Sequence, residues 1–175
     1  MTKKNSTMRG CVGLLIATLA LVNTPGCAGY QLGSSLPPDI KSVFVRTFIN
    51  KCREPLIEIE ATNATIAEFQ KDGTLKIGRM EEADVILETT LNAITLEPLR
   101  YDRADVAKPK EYRLIMSASF VLKRNASGKV IGDGDCIGES TFMYGGNLAS
   151  AKRSAMPKAS EDLAKRIVEK VVEVW

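Results

Sequence analysis

The sequence predicts an α+β protein, a two-layer sandwich in which two helices pack on one face of a mainly antiparallel sheet of four to five strands. Two patterns support this fold class. The middle of the chain has apolar residues at every second position over long segments, as in strands with one buried face. Segments on either side have apolar residues three or four positions apart, as in helices. Because such a sheet cannot bury its apolar face alone, both helices should cover it.

Residues 1–26 are typical of an export signal. They begin with a basic segment, continue with an apolar run from Val12 to Val22, and end in small residues. The run is too short to span a membrane. Cys27 then stands where a bacterial lipoprotein is cleaved and acylated, and ordinary secretory cleavage at the same place is the alternative. We therefore expect residues 27–38 to be a lipid-anchored tether and residues 39–175 to be one α+β domain outside the cytosol.

Composition excludes several classes of protein. The formal net charge of +3 is supplied entirely by the three basic residues of the signal, so the domain has no excess positive charge to attract nucleic acid. Histidine is absent, which excludes a His-based catalytic triad and a His zinc site. We therefore expect a protein that is not an enzyme and that holds no metal or cofactor.

The first strand and the first helix follow the tether. Residues Lys41–Ile49 are rich in β-branched and aromatic side chains, which predicts a strand. Residues Glu54–Asp72 predict an amphipathic helix, with Pro55 in its first turn and Gly73 as its C-terminal cap. The predicted core face of this helix consists of Leu56, Ile57, Ile59, Ala61, Ala64, Ile66 and Ala67. The predicted solvent side includes Glu58, Thr62 and Thr65, and Phe69 falls outside the apolar stripe.

The remaining elements form a meander followed by a closing helix. Strands are predicted at Thr74–Arg79, Val85–Ala93, Tyr112–Leu122 and Val130–Tyr144, a charged loop at Pro98–Lys110, and a turn at Asn125–Gly128. Glycines 132, 134 and 138 predict a bulge or a strong twist in the last strand. One face of the closing helix carries Leu163, Ile167, Val168, Val171, Val172 and Trp175. Pro157 either opens this helix or kinks a longer one that begins near Ala149, and we favour the longer helix.

The candidate chemistry of cysteines and carboxylates is limited. Cys52 and Cys136 could form a disulfide in an oxidising compartment, and two separate thiols are the alternative. The segment Gly132–Asp135 with Glu139 has some features of a calcium loop, but apolar or aromatic residues occupy two ligand positions, so solvated carboxylates are the better interpretation. A hydrolase that uses Asp133 or Asp135 is a further alternative, although nothing in the sequence requires one.

Two local groups of bases stand out in a domain without net charge. Lys123, Arg124 and Lys129 lie at the tip of the predicted hairpin, and Lys152 and Arg153 follow the last strand. Such groups can bind phosphate or another anion through charge-assisted hydrogen bonds. A solvated charged surface is the alternative interpretation.

Six segments, taken with their order and spacing, resemble one known family. They are Cys27-Ala28-Gly29-Tyr30-Gln31-Leu32, Leu36-Pro37-Pro38-Asp39-Ile40-Lys41-Ser42-Val43, Leu56 to Gly73, Glu82-Ala83-Asp84-Val85-Ile86-Leu87, Glu111-Tyr112-Arg113-Leu114-Ile115-Met116 and Ala159-Ser160-Glu161-Asp162-Leu163-Ala164. On these segments the chain is similar to the LptE family of lipopolysaccharide-assembly lipoproteins. The resemblance covers nearly the whole chain after the signal.

The resemblance implies an outer-membrane lipoprotein that faces the periplasm. Members of the family plug a large β-barrel protein, LptD, help it assemble, and contact lipopolysaccharide. Their basic contact past the last strand corresponds to Lys152, which Arg153 follows. A second contact, in the loop before the fourth strand, has no clear equivalent: Asp105 stands nearest, with Arg103 and Lys108 on either side. The alternative function is another envelope lipoprotein, an activator or auxiliary subunit of a cell-wall synthase or a lipid-transport complex.

Overall fold

The computed structural model describes residues 36–102 and 108–173. The signal, Cys27, most of the tether and Arg103 therefore lie outside the described residues. The elements in chain order are β1 (Ser42–Val45), β2 (Ile49–Asn50), α1 (Ile57–Asp72), β3 (Lys76–Ile77), β4 (Val85–Tyr101), β5 (Pro109–Arg124), β6 (Val130–Met143) and α2 (Leu148–Glu173). Together they form an α+β fold with two helices and a mixed sheet of six strands in the described part of the chain.

The sheet is mixed, whereas the sequence predicted a mainly antiparallel one of four to five strands. Strands β4, β5 and β6 form the predicted antiparallel meander. Strands β1 and β2 instead pair parallel with β4, and β3 pairs parallel with β1, which gives the order β3-β1-β4-β5-β6. Parallel pairing follows because α1 carries the chain back across the sheet between β2 and β3.

The predicted first strand is two short strands. Between β1 and β2 the backbone leaves the regular ladder: the N–H of Phe48 donates to Oγ1 of Thr62 on α1, 3.0 Å away. Phe48 turns into the core at this point and is 3% exposed. The break therefore serves to insert an aromatic side chain between the sheet and α1.

The core lies between the helix layer and one face of the sheet. On β5 the predicted alternation is confirmed, because Leu114, Met116, Ala118, Phe120 and Leu122 are all buried. From the opposite layer α2 contributes a fully buried row, Ala159, Leu163, Ala164 and Ile167. Burial of this many large apolar side chains is the main stabilising contribution to such a domain.

Helix α2 spans Leu148–Glu173 with Pro157 inside it, so the longer of the two predicted helices is confirmed. Asn147 caps its start, where the side-chain Oδ1 accepts the N–H of Ser150 at 3.0 Å. The helix crosses β6 at Gly138, where an added Cβ would overlap the Ala159 carbonyl oxygen and the Leu163 side chain. Gly138 thus marks a close helix approach. The predicted bulge is confirmed next to Gly132, where the register shifts between the pairs Leu122–Gly132 and Lys123–Val130.

The core face of α1 is confirmed at Ile57 and Ala61 and differs from the predicted one elsewhere. Its buried residues are Ile57, Ala61, Thr62, Thr65 and Phe69, whereas Leu56 and Ile59 are 68% and 50% exposed. The threonine hydroxyls donate to carbonyl oxygens one turn back, at 2.5 Å from Thr62 to Glu58 and 2.8 Å from Thr65 to Ala61. With their polar groups satisfied inside the helix, threonines can pack as apolar side chains.

The prediction for the C-terminal end of α1 is confirmed, and the prediction for its N-terminal end is wrong. Gly73 is confirmed as the C-terminal cap, with φ of 77° and its N–H on the Phe69 carbonyl oxygen at 3.0 Å. The helix begins at Ile57 and not at Glu54, so Pro55 precedes it. Leu56 holds the N-cap position with φ of 65°, a left-handed conformation that is unusual for a leucine.

Six of the eight described residues in the predicted charged loop at Pro98–Lys110 belong to strands. β4 continues to Tyr101 and β5 begins at Pro109, with an ion pair of 3.4 Å between Arg100 and Glu111 across the two strands. An irregularity in β4 between Leu91 and Ala93 shifts the register, so Ala93 is exposed and not on the predicted buried face.

Candidate binding surfaces

The structure divides the candidate bases between the two ends of the long strands. Lys123, Arg124 and Lys129 lie at the β5–β6 hairpin. Lys108 directly precedes the first residue of β5, which is at the end of the strand away from the hairpin. Lys152 and Arg153 lie in the first turns of α2, which begins at this same end shortly after β6 stops. The predicted bases therefore do not form one site.

The bases at the hairpin are engaged by carboxylates. Lys123 lies 2.5 Å from Glu88, which also pairs with Arg46 at 2.8 Å. The hydrogen bond from Lys123 and the two positive charges hold the pKa of Glu88 below its ordinary value. Arg124 forms an ion pair with Asp39 and lowers the pKa of that carboxyl group. In the described part of the chain, only Lys129 of this group has no acidic partner.

At the other end, Lys152 forms an ion pair with Glu54, and both side chains are partly buried. This pair joins the start of α2 to the loop that precedes α1. Arg153 is exposed and makes no ion pair with any described residue. A phosphate group could approach Arg153 directly, whereas Lys152 would have to exchange Glu54 for the phosphate.

Cys52 and Cys136 are free thiols, so the structure has the separate cysteines and not the disulfide. Cys136 is buried under α2, and Cys52 is partly buried in the loop before α1. Burial raises the pKa of both thiols, and Glu54 adds to the increase at Cys52. A raised pKa keeps a thiol protonated and a poor nucleophile.

The acidic residues of β6 do not form a metal-binding cluster with other described residues. Asp133 and Asp135 are exposed and face the side of the sheet that the helices leave uncovered. No group of three or more Cys, Asp or Glu side chains in residues 36–102 and 108–173 could hold a metal ion. Glu139 pairs with Arg113 at 3.6 Å across the two strands.

The uncovered side of the β4–β6 meander, here called the open face, carries hydroxyl and charged side chains together with the apolar Ile115, Val121 and Ile137. Its central rows include Thr90, Ser117, Ser119 and Thr141. Arg113 pairs with Glu139 and Lys123 with Glu88 on this face, whereas Asp133 and Asp135 form no ion pair with any described residue. Asn92 donates to Ser119 at 3.3 Å across β4 and β5. The sequence predicted this face as the wet side of the alternating strands.

A group of aromatic and large apolar side chains at the far end of the strands was missed by the sequence interpretation. Tyr112 stacks on Phe142 with ring centroids 5.7 Å apart, and Tyr144 meets Tyr112 edge-on at 6.3 Å. Leu99, Tyr101 and Met143 at the same end are exposed. We call these six residues the aromatic tip. The sequence does contain several aromatic residues close to the strand ends. They were not recognised as a group because part of this region was predicted to be a charged loop.

Solved structures show the same fold in other proteins. Protein XCC0632 from Xanthomonas campestris has a TM-score of 0.54 at 11% identity, over 79% of this chain and 87% of that one. Protein CT253 from Chlamydia trachomatis has a TM-score of 0.54 at 10% identity, over 75% and 95%. A minor lipoprotein from Acinetobacter baumannii has a TM-score of 0.50 at 10% identity, over 75% and 92%. Among curated proteins, none matches this sequence.

The sequence itself matches a family model over residues 40–172, which is most of the chain and includes all of the described strands and nearly all of the two helices. The model describes lipopolysaccharide-assembly proteins. Neither described helix has a stretch of the length and apolarity needed to cross a membrane. The described fold, two helices on one face of a sheet, is the one that the resemblance implied. The chain belongs to the LptE family of lipopolysaccharide-assembly lipoproteins.

Proposed function

We propose that the protein is an outer-membrane lipoprotein that fills the lumen of an LptD-like β-barrel, helps that barrel assemble, and contacts lipopolysaccharide. In this proposal residues 1–26 are removed as a signal peptide and Cys27 carries the lipid. Residues 27–38 then tether the domain of residues 39–175 to the periplasmic side of the membrane. The protein acts as a non-enzymatic subunit.

The open face is the single observation that carries the proposal. A sheet whose second side no helix covers has to meet water or a partner there. The interior of a large outer-membrane barrel is polar. The hydroxyl rows and the pairs Arg113–Glu139 and Lys123–Glu88 suit such a lumen, because hydroxyl groups bond to a polar wall and paired charges are already partly compensated.

The aromatic tip and the bases near it are the proposed contact for lipopolysaccharide. Arg153 has no acidic partner among the described residues and can form charge-assisted hydrogen bonds with lipid A phosphates. Lys152 can join it when a phosphate replaces Glu54, and Lys108 precedes β5 at the same end. The rings of the tip offer apolar surface beside these charges.

The test is co-purification of the tagged full-length protein with the co-expressed barrel. We expect the wild-type protein to elute with the barrel in mild detergent. Ser119→Arg places a long side chain in the middle of the open face, opposite Asp135 on β6. It should reduce the amount of bound barrel at least about tenfold, because its bulk prevents close contact with the lumen wall. Ser127→Arg at the exposed hairpin turn is the matched control.

Two results would count against the proposal. A wild-type protein that elutes without any barrel would contradict the plug itself. Equal recovery of the barrel with Ser119→Arg and Ser127→Arg would show that the open face is not the surface in contact. Crosslinking to a cell-wall synthase or to a lipid-transport complex would favour the alternative class of envelope lipoprotein.

A further inference from the structure

The last strand of the sheet, β6, has an edge that no other described strand covers. It ends the order β3-β1-β4-β5-β6 and is 14 residues long. In an antiparallel pair, alternate residues direct both of their backbone groups toward the neighbouring strand, and the residues between them direct both groups away from it. Such a row of outward N–H and C=O groups is a template for pairing with a strand of another chain.

Two hydrogen bonds from α2 occupy outward backbone groups of β6. The N–H of Glu139 donates to a carboxylate oxygen of Asp162 at 2.9 Å. The carbonyl oxygen of Asp135 accepts a hydrogen bond from Nζ of Lys170 at 2.5 Å. Ile137 lies between these two strand residues and, two positions from each, directs its backbone groups to the same outer side. The middle of the edge is therefore partly bonded already.

The spacing of the two helix residues matches the spacing of the two strand residues. Asp162 and Lys170 are two i,i+4 steps apart, so they lie on one side of α2 and are separated by a rise of about 12 Å. Asp135 and Glu139 are one i,i+4 step apart on β6, which corresponds to about 13 Å of extended strand. Because the helix and the strand run in opposite directions here, each side chain meets its own backbone group.

Two further residues hold this arrangement in place. Arg166 lies between Asp162 and Lys170 on the same side of α2, and its Nε donates to the same oxygen of Asp162 at 3.0 Å. Gly138 allows the helix to approach the strand, because a Cβ at this position would overlap the Ala159 carbonyl oxygen. The short aspartate side chain can reach the backbone of β6 only at such a close approach.

We propose that Asp162 and Lys170, here called the edge caps, prevent an extended segment of another chain from adding to the sheet beside β6. An added strand would need the outward groups of Asp135, Ile137 and Glu139, and the caps already bond to two of these three residues. The caps thus protect the domain from association through its sheet edge. Because caps and edge belong to the same chain, their role does not depend on the proposed function.

The experiment compares two double variants of the full-length protein in mild detergent. Asp162→Ala, Lys170→Ala removes both edge caps. The matched control, Lys165→Ala, Glu169→Ala, removes one base and one acid that pair with each other at 3.9 Å on the same helix. Aggregation into β-sheet, followed by thioflavin T fluorescence well below Tm, should be about fivefold faster without the caps than in the control, the factor that corresponds to one lost hydrogen bond. Hydrogen exchange of the Glu139 amide should accelerate in the cap variant only.

Two further variants separate loss of the caps from loss of stability. Leu163→Ala weakens the core but keeps both caps, so at the same interval below its own Tm it should aggregate no faster than the wild-type protein. Asp162→Asn, Lys170→Arg keeps an acceptor and a donor at the two positions and should restore slow aggregation. Equally fast aggregation of Leu163→Ala and the cap variant would overturn the inference.

A photoreactive residue at position 137 shows whether the new contact is at the edge of β6. In the cap variant it should form adducts between copies of the chain, and in the control variant it should form few. Equal adduct yields in the two variants, or equal rates of aggregation, would mean that the edge is not protected by Asp162 and Lys170.

Discussion

The two helices lie side by side on the same sheet, yet apolar spacing locates the core face of α2 and only part of that of α1, where Ile57 and Ala61 are buried as predicted. In α2, the predicted residues Leu163, Ile167, Val168 and Val171 are all buried. In α1, the predicted Leu56 and Ile59 are exposed, while Thr62 and Thr65 are buried. The difference teaches that periodicity identifies a core face only where the opposite face is charged, as in α2, and fails where threonines can pack as apolar residues.

The largest expected effect contrasts a buried residue of α2 with an exposed one of α1. Leu163→Ala should lower the free energy of unfolding by about 2–5 kcal/mol, because it opens a cavity against β6. Ile59→Ala should stay within about 0.5 kcal/mol of the wild-type value, because half of the side chain is already in water. Urea unfolding of the two variants measures both. Similar losses of unfolding free energy in the two variants would mean that the side of α1 that carries Ile59 is covered in solution.

A second pair of variants tests the buried threonines of α1. Thr62→Val removes the acceptor of the Phe48 N–H, and an unsatisfied buried donor should cost about 1–3 kcal/mol. Thr65→Val removes only a bond to the Ala61 carbonyl within the same helix, so the free energy of unfolding should change by about 0.5 kcal/mol or less. Thermal unfolding distinguishes the two. A larger loss for Thr65→Val would contradict the assigned roles.

The smallest effect concerns Glu60, a partly buried carboxylate on α1. Because burial and Glu161 raise the pKa of Glu60, the folded protein binds that proton more tightly than the unfolded chain does. The associated stability is present at acid pH and is lost as the pH rises through the raised pKa. Glu60→Gln should therefore stabilise the isolated protein slightly at pH 7, by less than about 0.5 kcal/mol, and not at pH 4. Tm measured at both pH values checks the sign, and a lower Tm at pH 7 would contradict it.

The parts of the fold that the sequence predicts are those with long, regular patterns. Alternation over β5 and the buried row of α2 fix the meander and the closing helix. The parallel strands could not be predicted in the same way, because β2 and β3 have two residues each. Their pairing depends on the place at which α1 returns the chain to the sheet, and no short-range sequence pattern predicts that place.

The ion pairs of the candidate bases could not be predicted from the sequence either, because their partners are distant in the chain. The sequence identifies Lys152, Lys123 and Arg124 as local groups without acids. The structure pairs them with Glu54, Glu88 and Asp39, which lie 98, 35 and 85 positions away in the chain. Arg153 could not be singled out from its neighbour before these pairs were known.

The central claim, that the domain fills a β-barrel with its open face against the lumen, is tested most directly by in-cell crosslinking. A photoreactive residue at position 119 lies in the middle of the open face. We expect one adduct with the co-expressed LptD-like barrel, mapped to a residue that points into the lumen. An adduct with a protein that is not a barrel, or none in cells where the lipoprotein is made and acylated, would contradict the account.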